Sequence, residues 1–95
     1  MNVLLVDDEP GVLYMLREVL TERGLSVLAV GSGLEALAEL DRADVVVSDL
    51  SMPRMDGIAL LDEVHARRPE LPFILVTAHG NERIAVSAMK HGAYD

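Results

Sequence analysis

The chain lacks cysteine and tryptophan, and aromatic residues make up only 3% of its 95 residues. Without cysteine, a disulfide framework, thiolate metal sites and thiol catalysis are excluded. Basic residues are also few: 8 Lys and Arg stand against 16 Asp and Glu, which gives a formal charge of -8 at pH 7. Proteins neutralise phosphates with clustered Lys and Arg. The composition therefore argues against DNA, RNA or an anionic membrane as this segment's own ligand, and leaves cations and basic partners.

Long apolar runs and a targeting segment are absent as well. The apolar runs fall far short of the roughly 20 residues that span a bilayer. Met1 and Asn2 lead into a short apolar run and two aspartates, whereas a secretory leader begins with basic residues. We therefore expect a cytoplasmic protein without membrane contact. Hydrophobic residues nevertheless reach 51%, too many for a disordered acidic tail, which predicts one folded domain over residues 1–95.

Short apolar runs alternate with helical patterns along the chain. Buried strands are predicted over 3–6, 44–48 and 73–76, a further strand over 25–30, and helices over 10–23, 33–40, 57–68 and 81–91. Ser32 and Glu35 have the spacing of a capping box, in which each side chain accepts from the other residue's N–H. Asp56 is a plausible N-cap. Regular alternation of strand and helix predicts an α/β fold with a doubly wound parallel sheet and helices on both faces.

Acidic side chains follow two of the predicted buried strands. Asp7 and Asp8 come directly after the first strand, and Asp49 comes after the third. Ligands of open parallel sheets bind at the carboxyl ends of the strands. If these two strands are neighbours, the three carboxylates converge, and two such charges about 4 to 5 Å apart repel by roughly 3 to 4 kcal/mol at an effective dielectric constant near 20. A cation is one way to neutralise them, and an oxygen-only ligand set favours Mg²⁺.

A carboxylate beside Mg²⁺ can itself attack a phosphoryl group. The hydroxyl of Thr77, which follows the fourth strand, could donate to a phosphoryl oxygen, and Ala78 is small enough to leave space for that group. The competing interpretation is that these acids are solvated loop residues. It suits a single aspartate well, but it suits less well three that each end a buried strand. Glu35, Asp56 and Asn81 are interpreted as helix caps.

Three segments of the chain resemble the receiver domain of two-component response regulators, in the order that this family has them. Leu4-Leu5-Val6-Asp7-Asp8-Glu9-Pro10 is similar to its acid-pair motif. Val47-Ser48-Asp49-Leu50-Ser51-Met52-Pro53-Arg54-Met55-Asp56-Gly57 resembles its phosphoacceptor segment, and Leu75-Val76-Thr77-Ala78 its switch-threonine segment. The resemblance covers the whole chain and implies the flavodoxin-like fold with strand order 2-1-3-4.

The resemblance implies a role for each matching residue. Asp49 would be phosphorylated by a histidine kinase or a small phosphodonor. Asp8, Asp49 and the backbone carbonyl of Ser51 would bind Mg²⁺ directly, and Asp7 would bind it mostly through a water. Thr77 would bind the phosphoryl oxygen and transmit the change. The positions of Ser51 and His79 influence acyl-phosphate hydrolysis in this family. His79, and Ala78 through its small size, are expected to modulate the site.

The sequence also departs from the family pattern. The family's fifth strand, with its aromatic switch residue and its phosphoryl-pairing lysine, and the final helix would follow Asp95. Lys90 and Tyr94 do not align with that lysine and that aromatic residue. We therefore expect a receiver domain that lacks its fifth βα unit, with residues 73–76 as an apolar sheet edge and the helix over 10–23 partly uncovered. Such an edge favours a homodimer or a strand-swapped oligomer.

Three classes of function are considered. The first is a signalling switch whose chemistry is limited to phosphoryl transfer to its own Asp49, so that the domain is not an enzyme in the usual sense. The second is a Mg²⁺-dependent phosphohydrolase, but such enzymes have an Asp-x-Asp arrangement, whereas Asp7 and Asp8 are adjacent. The third is a truncated, phosphorylation-impaired interaction or dimerisation module. The segment from Gly80 to Asp95 resembles receivers that precede transcription-activating ATPase domains, in which DNA binding belongs to a downstream domain.

Overall fold

The computed structural model describes residues 1–50 and 52–76. The strands are β1 (Asn2–Val6), β2 (Ser26–Val30), β3 (Val45–Asp49) and β4 (Phe73–Val76), and the helices are α1 (Pro10–Glu22), α2 (Gly33–Ala38) and α3 (Gly57–Arg67), with a 3₁₀ turn at Leu40–Arg42. None of the described helices is long and apolar enough to cross a bilayer. Ser51, Thr77, Ala78, His79 and the helix predicted over 81–91 lie outside the described residues.

The four strands form one parallel sheet with the order β2-β1-β3-β4. This confirms the predicted fold class and strand order. In the register, Leu5 of β1 lies between Ala29 of β2 and Val47 of β3, and Asp49 at the end of β3 lies opposite Val76 of β4. Because β1 and β3 are parallel neighbours at the centre of the sheet, their carboxyl ends meet at the same edge.

The main core lies between one face of the sheet and helices α2 and α3. Strand side chains on this face alternate with those on the other, as the two-residue period of a strand requires. Burying each large apolar side chain stabilises the fold by roughly 1.5 to 3 kcal/mol. The central members of this core are Leu4, Val6, Val46, Leu60, Leu61, Val64 and Phe73.

Helix α1 packs on β2 and β1. It begins with Pro10 in its first turn, where the missing N–H costs nothing. It ends at Glu22, one residue earlier than predicted, and Gly24 follows in the left-handed conformation with φ 84°. In the described part of the chain no residue of α1 is fully buried, and Tyr14 is 69% exposed. The partly uncovered helix expected from the sequence is therefore what the described residues show.

The caps of α2 and α3 were predicted with one error. Ser32 Oγ accepts from the Glu35 N–H at 3.2 Å, as the capping box requires. The Glu35 carboxylate, however, accepts from the N–H of Gly31 at 3.1 Å, one residue before the Ser32 N–H that the capping box predicts. Asp56 is the N-cap of α3, and its Oδ1 accepts from the Ala59 N–H at 2.8 Å. The helix predicted over 33–40 ends at Ala38.

Arg68 ties the end of α3 to the turn before β3. Its Nη1 donates to the carbonyls of Leu40 at 2.7 Å and Ala43 at 2.8 Å. Its Nε also donates to Glu70 Oε1 at 3.1 Å. One guanidinium thus binds the carbonyl of the first residue of the 3₁₀ turn and that of the residue after the turn, and it fixes the point at which the chain enters β3.

Strand β4 is less buried than its sequence indicated. Phe73 is buried, Ile74 and Leu75 are half-buried, and Val76 is 42% exposed. Within residues 1–50 and 52–76, β4 pairs with β3 alone, which makes it an outer strand of the described sheet. The buried strand predicted over 73–76 is therefore only partly buried, whereas its outer position in the described sheet agrees with the sheet edge predicted there. Strand β3 is also only partly covered, because Val45 and Val47 are half-buried.

Candidate functional site

Asp7 is fixed by its backbone at the end of β1. Its N–H donates to the Val30 carbonyl at 3.2 Å, which continues the pairing with β2 past the last residue of the strand. Its Oδ1 accepts from the Glu9 N–H at 2.9 Å, an Asx-type turn that leads the chain into α1. Asp7 is only 7% exposed. Asp8, the next residue, is exposed at the rim.

Asp49 is the last residue of β3 and is half-buried. The chain after it remains attached to the sheet, because the Leu50 N–H donates to the Val76 carbonyl at 3.0 Å. The Leu50 carbonyl in turn accepts from the Gly57 N–H at 2.9 Å, which closes the loop between β3 and α3. Asp49 is therefore held between β4 and the first residue of α3.

The structure brings the three predicted carboxylates together. Asp7, Asp8 and Asp49 each offer a carboxylate oxygen, and these oxygens lie within 4.8 Å of one another. Two unit charges at that distance repel by about 3.5 kcal/mol at an effective dielectric constant near 20. Folding therefore concentrates negative charge at one edge of the sheet, and a bound cation would relieve it.

The donor set fits a hard divalent cation. The described residues contribute only carboxylate oxygens to this group, which suits Mg²⁺ or Ca²⁺ better than softer metals. Exposed Asp8 leaves one side of the group open to water, and Mg²⁺ usually retains several waters. One Asp7 oxygen already accepts the Glu9 N–H, so its other oxygen is the more available ligand. Residues 7, 8 and 49 are the described candidates for holding the ion.

The sequence did not single out two residues that touch the backbone of Asp49. Ser48 is fully buried, and its hydroxyl donates to the Asp49 carbonyl at 2.9 Å. A Cβ at Gly57 would stand only 2.6 Å from the same carbonyl oxygen. One signal could have identified Ser48: it interrupts an otherwise apolar strand directly before the aspartate. Gly57 carries no comparable signal, because a glycine at the start of a helix is common.

The fold and this site define a class, the parallel α/β domain with an acidic site at the carboxyl ends of its central strands. The response regulator receiver domain family matches residues 3–95. The chain therefore belongs to this family.

Known relatives agree with this assignment. The chain is 44% identical over 95 residues to the transcriptional regulatory protein GlrR of Escherichia coli (strain K12), covering 98% of this chain and 21% of that protein. It is 44% identical over 93 residues to the DNA-binding transcriptional regulator NtrC of Klebsiella pneumoniae, covering 96% and 20%. A response regulator receiver domain protein from Clostridium thermocellum superposes with a TM-score of 0.92 at 33% identity, covering 98% and 77%. The chain spans about a fifth of the length of these curated relatives.

Proposed function

We propose that this receiver domain accepts a phosphoryl group on Asp49, from a histidine kinase or a small phosphodonor, in a reaction that requires Mg²⁺. The observation that carries the proposal is the convergence of Asp7, Asp8 and Asp49, whose carboxylate oxygens lie within 4.8 Å of one another. Membership of the receiver family supports it independently.

In the proposed reaction a carboxylate oxygen of Asp49 attacks the phosphorus of a phosphohistidine. A P–O bond forms, the P–N bond breaks, and its electron pair goes to the imidazole nitrogen. Asp7 and Asp8 would hold the cation together with Asp49 and the backbone carbonyl of Ser51. When bound, Mg²⁺ supplies positive charge against the carboxylates and the phosphoryl oxygens. Asp49 lies at the end of a central strand, and the backbone contacts on both sides of it would hold its carboxylate in place for this attack.

The transfer is the domain's only proposed chemistry, so the domain acts as a switch and not as an enzyme on a separate substrate. Thr77 would donate its hydroxyl to a phosphoryl oxygen, and Ala78 and His79 would modulate the lifetime of the acyl phosphate. Phosphorylation then biases a conformational equilibrium, since it adds charge and acceptor oxygens at one position.

The output of the switch is proposed from the relatives. GlrR and NtrC are transcriptional regulators, and this chain corresponds to about a fifth of each. We place this domain in a cytoplasmic regulator of transcription whose DNA contacts are made outside the segment, which carries a formal charge of -8. Self-association through β4, the outer strand of the described sheet, is proposed as well, either as a homodimer or as a strand-swapped oligomer.

Incubation with acetyl phosphate and Mg²⁺, followed by intact mass spectrometry, tests the proposal. The wild-type chain is expected to gain one phosphoryl group, which is lost when EDTA replaces Mg²⁺ and is absent in Asp49→Asn. The matched control is Asp56→Asn, because it removes a carboxylate from the same loop while asparagine still caps α3. This control is expected to be phosphorylated like the wild type.

A phosphoryl group on Asp49→Asn, or none on the wild-type chain at any Mg²⁺ concentration, contradicts the proposal. The second result favours the alternative of a phosphorylation-impaired interaction module. That alternative has one observation in its support: within residues 1–50 and 52–76, the outer strand β4 ends in an exposed valine.

A further inference from the structure

Ser48 is a polar residue in the middle of the apolar core. It lies opposite Val6 of β1 and Leu75 of β4, on the sheet face that α2 and α3 cover, and its side chain is fully buried. An apolar residue would bury more hydrophobic surface here. The serine hydroxyl is satisfied because it donates a hydrogen bond to the Asp49 carbonyl at 2.9 Å.

Gly57, the first residue of α3, lies close to the same peptide. A Cβ built on this glycine would lie 2.6 Å from the Asp49 carbonyl oxygen and 2.9 Å from Leu50 Cα. Real Cβ atoms do not come so close to backbone atoms, so any side chain at this position would displace the peptide. The Gly57 N–H also donates to the Leu50 carbonyl at 2.9 Å, which keeps the two segments together.

We infer that Ser48 and Gly57 are positioning residues for Asp49: both contact the peptide between Asp49 and Leu50, and they thereby set where the Asp49 carboxylate stands relative to Asp7 and Asp8. The inference rests on the proposed function, because it assigns these residues a role in cation binding and phosphoryl uptake. Residues that orient metal-binding carboxylates without touching the metal typically change affinity or activity by about 10- to 100-fold when removed.

Ser48→Ala removes the hydroxyl and leaves the strand intact. The Mg²⁺ dissociation constant is measured by calorimetry, and the rate constant for phosphoryl uptake from acetyl phosphate by mass spectrometry. We expect the first to rise and the second to fall, each by about tenfold. Ser48→Thr keeps the hydroxyl and should restore both values. Ser26→Ala is the control, because Ser26 is an exposed strand serine at the opposite end of the sheet.

Gly57→Ala tests the second contact and should change both quantities in the same direction as Ser48→Ala. Its control is Gly11→Ala, because a Cβ at Gly11 in α1 meets no atom within 4 Å. Thermal unfolding of each variant defines a temperature at which all of them are fully folded, and the measurements are made there. If Gly57→Ala does not fold, the serine variants decide the question.

A merely structural role predicts that Ser48→Ala lowers the urea midpoint and leaves the Mg²⁺ dissociation constant and the uptake rate unchanged, and that result overturns the inference. A wild-type chain that binds Mg²⁺ but takes up no phosphoryl group overturns the proposed function instead, and the Mg²⁺ measurements still decide the role of Ser48. A wild-type chain that binds no Mg²⁺ overturns both.

Discussion

Replacing Asp8 with asparagine should stabilise the metal-free protein. Asp8 is exposed at the rim of the acidic group, and the described structure shows its carboxylate close to those of Asp7 and Asp49. Asp7 is its neighbour in sequence, so their repulsion is present in the unfolded chain as well. The repulsion that folding adds is therefore mainly that between Asp8 and Asp49.

The size of this repulsion follows from their separation, at most 4.8 Å between carboxylate oxygens. Coulomb's law gives about 0.9 kcal/mol with the dielectric constant of water and about 3.5 kcal/mol with an effective value of 20. Because Asp8 is exposed, the lower value is the better guide, and Asp8→Asn should raise the free energy of unfolding by about 1 kcal/mol. For a domain of this size, that raises Tm by about 4 to 8 °C.

Thermal unfolding in EDTA measures the repulsion between the carboxylates, and thermal unfolding in a Mg²⁺ series measures how far the cation relieves it. Wild-type protein should gain stability with Mg²⁺, reaching about 2.7 kcal/mol at 100 times the dissociation constant, whereas Asp8→Asn should gain much less. The order of stability should therefore reverse between EDTA and saturating Mg²⁺. Glu18→Gln removes one exposed negative charge from α1. Its stability in EDTA and its gain in stability with Mg²⁺ should match those of the wild type. An Asp8→Asn protein less stable than wild type in EDTA refutes the reasoning.

Three further predictions concern the scaffold. Arg68→Ala should lower the free energy of unfolding, measured in urea, by about 2 to 3 kcal/mol, because two carbonyls lose their charged donor. Arg67→Ala removes only an exposed i,i+4 ion pair and should lower it by less than about 1 kcal/mol. Equal losses in the two variants would contradict this prediction. Gly24→Ala should destabilise the chain by about 1 kcal/mol, because residue 24 has a φ of 84°. Gly11→Ala, in a helix with open space around the new Cβ, should instead stabilise it by up to about 1 kcal/mol. A stabilising Gly24→Ala would show that residue 24 does not adopt the left-handed conformation. The pKa of Glu70 is lowered from its ordinary 4.5, first by a backbone hydrogen bond within the residue and then by Arg68. The contribution of ionised Glu70 to stability is therefore present above pH 4.5 and is lost as the pH falls through the lowered pKa of the folded state. An NMR titration midpoint at or above 4.5 would exclude this.

The sequence pattern predicted a parallel α/β sheet, and it predicted that the three acids converge if the first and third strands are neighbours. The strand order itself was implied by the resemblance to receiver domains. The parallel sheet follows from the regular alternation of strands and helices, and the acidic group follows because residues after neighbouring parallel strands lie at the same edge. Helix ends were predicted within one or two residues because Pro10, Gly24 and Asp56 have strong positional preferences. The roles of Ser51, Thr77, Ala78 and His79 stay predictions.

The contacts that the sequence did not predict are long-range or depend on distances of a few ångströms. Arg68 binds carbonyls 25 and 28 residues away, and no local pattern shows that. The exposure of Val76 depends on which strands flank β4 and not on its own apolar sequence. The close approach of Gly57 to Asp49 depends on the path of the loop between them, which residue types do not determine.

The common site of Asp7, Asp8 and Asp49 is tested most directly by an NMR titration of the isotope-labelled chain, first with Mg²⁺ and then with beryllofluoride as a phosphoryl analogue. If Asp7, Asp8 and Asp49 form one cation site, the backbone amides of Asp7, Asp8 and Leu50 shift together with Mg²⁺ and give one common dissociation constant. Beryllofluoride then shifts the Leu50 amide again. Shifts confined to Asp7 and Asp8, with Leu50 unchanged in both steps, would show that Asp49 shares no site with them and would contradict the proposed phosphorylation site.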